Sequence, residues 1–425
     1  MASEWPKVPI DALKAESPGA IAIGPFGSRM KSDRYTPSGV PVIRGNNLSD
    51  TKAFVGDFVY VSPETANELS GCVVYAGDLV FPHRGAIGQV GIVPEAGPQR
   101  YILSTSLMKF TCNRRLADPL FLFYFFRSPY GRHQLLKNAS TVGTPGIGQP
   151  LTSLKSIEVA LPHLEEQCAI AMILGSFDDK IELNHRTGDA VEAVARAIFK
   201  SWFVDFDPVR AKAEGGQPFG MNAEIAACFP DSMEDSPLGK IPKGWTVARL
   251  GDIVEFAYGK PLKEENRRQG NVPVYGSNGL VGWHDEAFAQ GPGIVVGRKG
   301  NPGIVTWVPM EFWPIDTTFY VMLKAPLASF HYAFHVLSRL DLPSLGADSA
   351  VPGLNRNIAY TSQVLLPSPE LAKIFDSICE PLSVRAHLSN EESRTLAAIR
   401  DALLPKLISG EIRVKEAEKM LKGKA

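Results

Sequence analysis

The sequence predicts an α+β chain in which two similar α/β domains are separated by a pair of long antiparallel, coiled-coil helices with pseudo-two-fold symmetry. Three observations carry this expectation. One stretch in mid-chain holds a heptad stripe long enough for an extended helix. A second stretch near the C-terminus has apolar residues on helical spacing. The strand-rich segment before the first helix recurs, motif by motif, before the second.

The first helix is read from LPHLEEQCAIAMILGSFDDKIELNHRTGDAVEAVARAIFKSWFVDFDPVRAKAEG, residues 161–215. Phe177, Ile181, Asn184, Gly188, Val191, Ala195, Ile198 and Trp202 follow one another in alternating steps of four and three. That rhythm keeps one stripe of a helix against a partner helix. A helix from Leu164 to Phe203 spans about 60 Å at 1.5 Å per residue. The second helix, 369–407, carries Leu371, Ile374, Ile378 and Leu382, then Leu396, Ile399, Leu403 and Leu407. Both stripes are polar or small at mid-length: Asn184 and Gly188 in one, Arg385, Ser389 and Glu392 in the other. Such positions weaken packing but fix register. The packing set expected between the helices is Phe177, Ile181, Val191, Ile198 and Trp202 against Ile378, Leu382, Leu396, Ile399 and Leu403.

The flanking segments are strand-rich. Val40–Ile43 and Asp78–Phe81 read as short strands between turn clusters, and DPLFLFYFFR (118–127) as a buried helix begun by Asp-Pro. Residues 141–150 read as a Gly/Pro loop and 204–244 as a linker, with strands resuming at Trp245. Gly410 reads as a helix cap, and the basic tail from Arg413 is expected to fray. Gly39–Leu48 aligns with Asn271–Leu280, His83–Gly88 with Arg298–Gly303, and Ser104–Ser106 with Asp316–Thr318. Thr144–Ile147 aligns with Val351–Leu354, and Leu161-Pro162 with Leu366-Pro367. The matches keep their order while the spacing drifts, as loop deletions would produce.

Length and composition bound the rest. A chain of 425 residues holds two or three domains, and 44% apolar with 21% charged residues fits a soluble globular protein. A net charge of −1 means that any polyanion must be met by local basic patches. Five scattered cysteines without a CxxC argue for free thiols in a reducing compartment. No signal-like or membrane-length apolar run is present, and a cytoplasmic location is expected.

Two loop sets are candidate nucleic-acid contacts, because Arg, Lys, Asn and Ser on loops suit phosphates and base edges. In the first half they are Arg29, Lys31, Arg34, Arg44, Asn46, Asn47, His83, Arg84, Ser104 and Thr105. In the second they are Lys260, Lys263, Arg267, Arg268, Ser277, Asn278, Arg298, Lys299, Asn301 and Thr317. The alternative is a solvated surface, but recurrence in both halves favours a shared role. His83-Arg84-Gly85 and Arg298-Lys299-Gly300 pair a cation with a glycine that lets backbone approach a ligand; a hairpin turn is the plainer reading. Gly85, Gly88 and Gly91 have the wrong spacing for a phosphate loop and read as a strand-turn feature. His331 and His335 stand four apart but lack a third ligand, so aromatic packing is preferred over metal. Asp178-Asp179 and Asp205/Asp207 read as solvated or structural carboxylates, and no metal site or nucleophilic triad is found.

The spacer sequence quoted above resembles the central spacer of type I restriction–modification specificity subunits nearly end to end. LGKIPKGWTVARLGDIV (238–254) resembles that family's entrance to a second target-recognition domain, and LAAIRDALLPKLISGEIRV (396–414) its C-terminal spacer. The resemblance divides the chain into a first target-recognition domain (1–160), a central spacer helix (161–215), a linker with the second domain (216–367), and a C-terminal spacer helix and tail (368–425). It implies that each domain reads one half of a bipartite DNA target in the major groove and that the helix pair sets the gap. Successive major-groove faces lie about 34 Å apart, within reach of such helices. The subunit would hold no catalytic centre or cofactor. Two modification subunits would methylate adenine with S-adenosylmethionine, and restriction subunits would add ATP- and Mg-dependent translocation and cleavage. Consistently, the sequence contains neither a [DN]PP[YF] motif nor a Walker A loop. Base-reading residues are not implied by the resemblance, because these domains vary with target. Two other readings stay open: a self-contained methyltransferase or nuclease with divergent motifs, and a coiled-coil scaffold that binds only protein.

Overall fold

The computed structural model describes residues 5–140, 143–325, 327, 329–345 and 353–422. The expected matches at Val351 and Pro352, and the start of the Gly/Pro loop at 141–142, lie outside them. The chain divides into two compact units, Met1–His185 with Glu391–Ala425, and Arg186–Asn390.

In the first unit, a four-stranded antiparallel sheet runs in the order Ile21–Ile23, Leu107–Phe110, Leu79–Pro82, Gly91–Ile92. In the second unit, Val254–Tyr258, Thr318–Leu323, Gly293–Gly297 and Val305–Val308 take the same order with the same antiparallel sense. Two further pairings recur. The opening and closing strands pair antiparallel, Lys7–Pro9 with Glu158–Ala160 and Thr246–Arg249 with Gln363–Leu366. Val40–Ile43 lies parallel to Tyr101–Leu103, as Val272–Gly276 does to Trp313–Pro314. The repeat read from the sequence is therefore a repeat of topology.

Register corrects one match by a single residue. Pro82 pairs with Leu107 and Gly297 with Thr318, so Ser106, not Thr105, is the counterpart of Thr317. Backbone bonds agree, with His83 N–H donating to Ser106 O and Arg298 N–H to Thr317 O, both at 2.9 Å. Gly24 and Gly259 occupy equivalent strand ends. A Cβ on either would lie 1.9 Å from Ser104 O or 2.2 Å from Ile315 O. Only glycine lets the two segments close there.

The expected helices form. Pro119–Arg127 opens on Asp118, whose carboxylate accepts from Phe121 N–H at 2.8 Å, and it buries six consecutive residues, Phe121–Phe126. The long helices span Leu164–Phe203 and Pro369–Ser409. Within the first unit, Ile170, Ala171, Leu174 and Phe177 share a core with Leu403, Leu404, Leu407 and Ile408. Within the second, Ala195, Phe199, Trp202 and Phe203 share one with Leu371, Phe375 and Cys379. Rising numbers on one helix meet falling numbers on the other, so the pairing is antiparallel. Every residue of the stripe from Phe177 to Trp202 is buried or half-buried. On the second helix the seam is rotated slightly from the expected one. Phe375, Cys379, Ala386, Ser389 and Ser393 are buried, whereas Ile374, Ile378, Leu382, Leu396 and Ile399 are half-buried and Arg385 and Glu392 exposed.

Two other expectations change. The 204–244 linker carries helices Asp207–Ala213 and Ala223–Ala227 and a hairpin of Met233–Ser236 with Gly239–Pro242. The tail does not fray. Val414–Lys422 is helical, Ala417 is fully buried, and Arg413 pairs with Glu166 at 3.0 Å. Ile412 and Ala417 are buried in the first-unit core, Val414 packs against it, and Arg413 lies over Trp5, which together seat the tail. Gly410 does take the left-handed conformation (φ 72°) of a helix cap.

Asp178 is structural but not solvated. It lies fully buried in the first unit, accepting from Tyr124 Oη at 2.7 Å, with Arg127 at 3.5 Å and Arg400 of the second long helix against its other oxygen. Arg400 also donates to Asp50 O at 3.0 Å, and neighbouring Asp179 pairs with Lys52 at 2.6 Å. Removing one member of a buried ion cluster strands the others in a poorly solvating interior. Asp178→Ala is therefore expected to destabilise the chain by about 3–5 kcal/mol, read as a lowered urea midpoint, whereas Asp179→Ala should shift it little.

His331 and His335 are packed as aromatics. His331 stacks on Trp307 at 4.3 Å and meets Glu380 at 3.2 Å, while His335 stacks on Phe199 at 5.0 Å. Burial, with His331 and Arg196 nearby, lowers the His335 pKa from 6.5 to about 4. Unfolded chains bind a proton at this position below pH 6.5 that the native state refuses until about 4. Stability should accordingly fall as pH drops through that window, by up to about 3 kcal/mol. His335→Phe should remove this component of acid sensitivity in denaturation measured across the same range.

Candidate nucleic-acid interface

The two cation–glycine turns are built alike. Gly85 and Gly300 both have φ 83°, and Gly88 and Gly303 both φ 84°, so each turn needs two left-handed residues at the same spacing. Arg84 bridges to Gly146 and Lys299 to Gly353 in matching antiparallel contacts. Each turn thus joins the end of an inner sheet strand to a later loop of the same unit. Arg84 and Lys299 are exposed, and no carboxylate among the described residues pairs with either.

In the second unit these turns gather several expected residues. Lys299 N–H donates to Thr317 O at 3.1 Å. Ser277 Oγ lies against Gly300, leaving 3.3 Å for any Cβ there, and the Asn301 amide donates to Asn278 Oδ1. Ser277, Asn278, Arg298, Lys299, Asn301 and Thr317 therefore form one cluster. In the first unit, His83 meets Thr105 O through Nε2 at 3.2 Å, bringing His83, Arg84 and Thr105 together. Burial lowers the His83 pKa, which favours the neutral ring.

Other expected residues are committed to the fold. Asn47 is fully buried: its Oδ1 accepts from Arg44 N–H at 3.0 Å and its Nδ2 donates to Val55 O at 2.9 Å. Ser104 is buried beside Ser106 and is likewise withdrawn from solvent. Arg34 pairs with Glu68 at 2.9 Å, and Arg29 donates to Glu68 O at 3.0 Å. Arg44 donates to Asp57 O at 2.9 Å and Arg267 to Val281 O at 2.7 Å. Arg268 is held between Asp285 at 2.7 Å and Glu286 at 3.2 Å, which cancel its charge. Lys260 lies over Trp313 and Phe288 at 5.4 and 5.8 Å, and Lys263 faces Glu265 at 3.6 Å. Lys31 and Asn46 stay exposed. Two residues absent from the expected set, Tyr258 and Arg356, stand beside Arg298. Only their position relative to the repeat could have signalled them.

Residues 26–193 match the family described as the type I restriction modification DNA specificity domain. Over most of its length the chain is similar to type I restriction enzyme specificity subunits. It is 25% identical to the type I restriction enzyme MjaIX specificity subunit of Methanocaldococcus jannaschii, across 96% of this chain and 94% of that protein. It is 27% identical to the HindI specificity subunit of Haemophilus influenzae, across 73% of this chain and 81% of the relative. The type I restriction–modification S subunit of M. genitalium shares the fold, with a TM-score of 0.59 and 18% identity over 95% of this chain and 96% of that one. Among the described residues no group of three or more His, Cys, Asp or Glu side chains is placed to hold a metal, and no helix is long and apolar enough to cross a membrane.

Asn46 and Asn47 differ in what the fold asks of them: one is exposed and the other buried. Asn47→Ala should cost about 1–3 kcal/mol through stranded backbone groups, seen as a lowered melting temperature. Asn46→Ala, on the exposed side of the same turn, should leave stability within about 0.5 kcal/mol.

Proposed function

We propose that this chain is the DNA-specificity subunit of a type I restriction–modification complex, each unit reading one half of a bipartite target. The observation that supports this most is the repeated turn: one backbone frame, met twice, offers an unpaired cation next to left-handed glycines. Such a turn brings backbone and a positive side chain close to a duplex together, which suits phosphate positioning and guanine-edge contact. Arg84 with Thr105 in the first unit, and Lys299 with Ser277, Asn278, Asn301 and Thr317 in the second, are the side chains we assign to DNA.

Specificity subunits of type I systems act with other subunits. We assign methylation of adenine to two modification subunits that bind S-adenosylmethionine, and ATP- and Mg-dependent cleavage to restriction subunits. This chain supplies the target choice and no cofactor site, in the cytoplasm where DNA and thiol-reducing conditions coexist. The long helices set the number of unread base pairs between the half-sites.

Mapping of methylated adenines in DNA treated with the assembled complex tests the reading. The expected product is a single bipartite sequence. Replacing Lys299 should relax the half-site read by the second unit and leave the other intact. Adding one helical turn to both long helices should change the gap and not the half-sites. Methylation by the isolated chain with S-adenosylmethionine, or an unchanged target after exchange of a whole domain, would overturn it.

A further inference from the structure

Tyr258 ends one strand of the second unit, Arg298 follows another, and Arg356 opens the short helix Arg356–Tyr360. Both guanidinium carbons lie 4.8 Å from the Tyr258 ring centroid. Each guanidinium is fixed by a backbone carbonyl, Arg298 to Asp316 O at 3.1 Å and Arg356 to Phe256 O at 3.3 Å. The ring itself is 49% exposed. No carboxylate among the described residues forms an ion pair with either arginine.

Sharing one ring places the two cations no more than about 10 Å apart, as twice 4.8 Å requires. Like charges at that range repel each other. Each guanidinium is also drawn to the face of the ring. The fold holds the pair with no ion-paired carboxylate among the described residues, an arrangement that favours charge-assisted contact with an anion.

We propose that Arg298 and Arg356, ordered by Tyr258, clamp a backbone phosphate of the DNA bound by the second unit. Among the described residues the first unit shows no such pair. Gly24 and Gly259 are equivalent, which sets Ile23 at the place of Tyr258. His83 stands where Arg298 does. Counting back from the matched Leu161 and Leu366 sets half-buried Leu151 at the place of Arg356. A phosphate contact carries register and affinity but no base information. The two units are thus unequal, the second contributing more of the salt-dependent attraction.

This inference rests on the DNA-binding role proposed above, and the test separates the two. Full-length chain is titrated by fluorescence anisotropy with labelled duplexes, one bearing the mapped target and one of arbitrary sequence, over a series of salt concentrations. Arg356→Ala should lower affinity several-fold on both duplexes and make the slope of log K against log salt shallower by about one. Tyr258→Leu should reproduce part of that loss and Tyr258→Phe should not. If Arg356→Ala does not fold, Arg356→Met, which keeps the stem and drops the charge, carries the same expectation. An unchanged slope in a folded variant overturns the clamp and leaves the wider reading standing. A loss confined to the target duplex also overturns it, making Arg356 a base reader. Failure of the unmodified chain to bind any duplex overturns both.

Discussion

A helix of 40 residues with one apolar stripe cannot persist in water unless that stripe is covered along its length. This requirement governs the rest of the molecule. Cover comes from the chain's other long helix, and the helix ends do more than pair. In the first unit, Ile170 to Phe177 and Leu403 to Ile408 complete the same core as the aromatic helix Phe121–Phe126. In the second unit, Phe199, Trp202 and Phe203 meet Phe375 and Tyr332 in a cluster of tilted and edge-on rings. The seam is thin at mid-length, where Asn184, Gly188, Ala386, Ser389 and Ser393 replace large side chains. Asn184 donates there to Glu392 at 2.9 Å, a polar contact that apolar packing alone would not place. Burial at the ends supplies the energy, and polar groups at the centre supply register.

The buried Asp178 shows how tightly this seam is tied to its domain. A carboxylate withdrawn from water gains nothing over an apolar residue unless several donors reach it. Here the donors come from different places in the chain: Tyr124 and Arg127 from the aromatic helix, Arg400 from the second long helix. Arg400 in turn holds the backbone at Asp50, and Lys52 holds Asp179. One anion thus orients two helices and a loop at once, a constraint that nonpolar packing, being tolerant of rotation, would leave loose.

Much of this was legible in the amino-acid order. Heptad spacing located the first long helix because a stripe on a helix must recur every three or four residues, whatever it packs against. The repeat was legible because glycines forced into left-handed backbone, such as Gly85 and Gly300, cannot drift without breaking the turn. The exact rotation of the second helix was less visible: Ile374 and Phe375 are adjacent and equally apolar, and only contact with Phe199 and Trp202 chooses between them. The tail was misread because a basic sequence looks solvated until Glu166 is found beside Arg413. Among the candidate contacts, Asn46 and Asn47 are identical in sequence and opposite in burial, a difference set by a loop closing some ten residues later at Val55 and Asp57.

Charge explains why the interface was the hardest part to read. With 44 basic and 45 acidic residues, some cations are paired with carboxylates and others are not, and residue type alone does not say which. Arg34 and Arg268 look as suitable for a phosphate as Arg84 or Lys299 until Glu68, Asp285 and Glu286 are placed beside them. Such pairs are exposed and each is worth little to stability, but each removes a positive charge from the field an approaching polyanion meets. Arg84 and Lys299 differ from these in a turn geometry shared between the units and in having no ion pair with a carboxylate among the described residues. Selectivity for a polyanion in a nearly neutral chain therefore depends less on how many arginines and lysines it has than on which ones the fold leaves unneutralised.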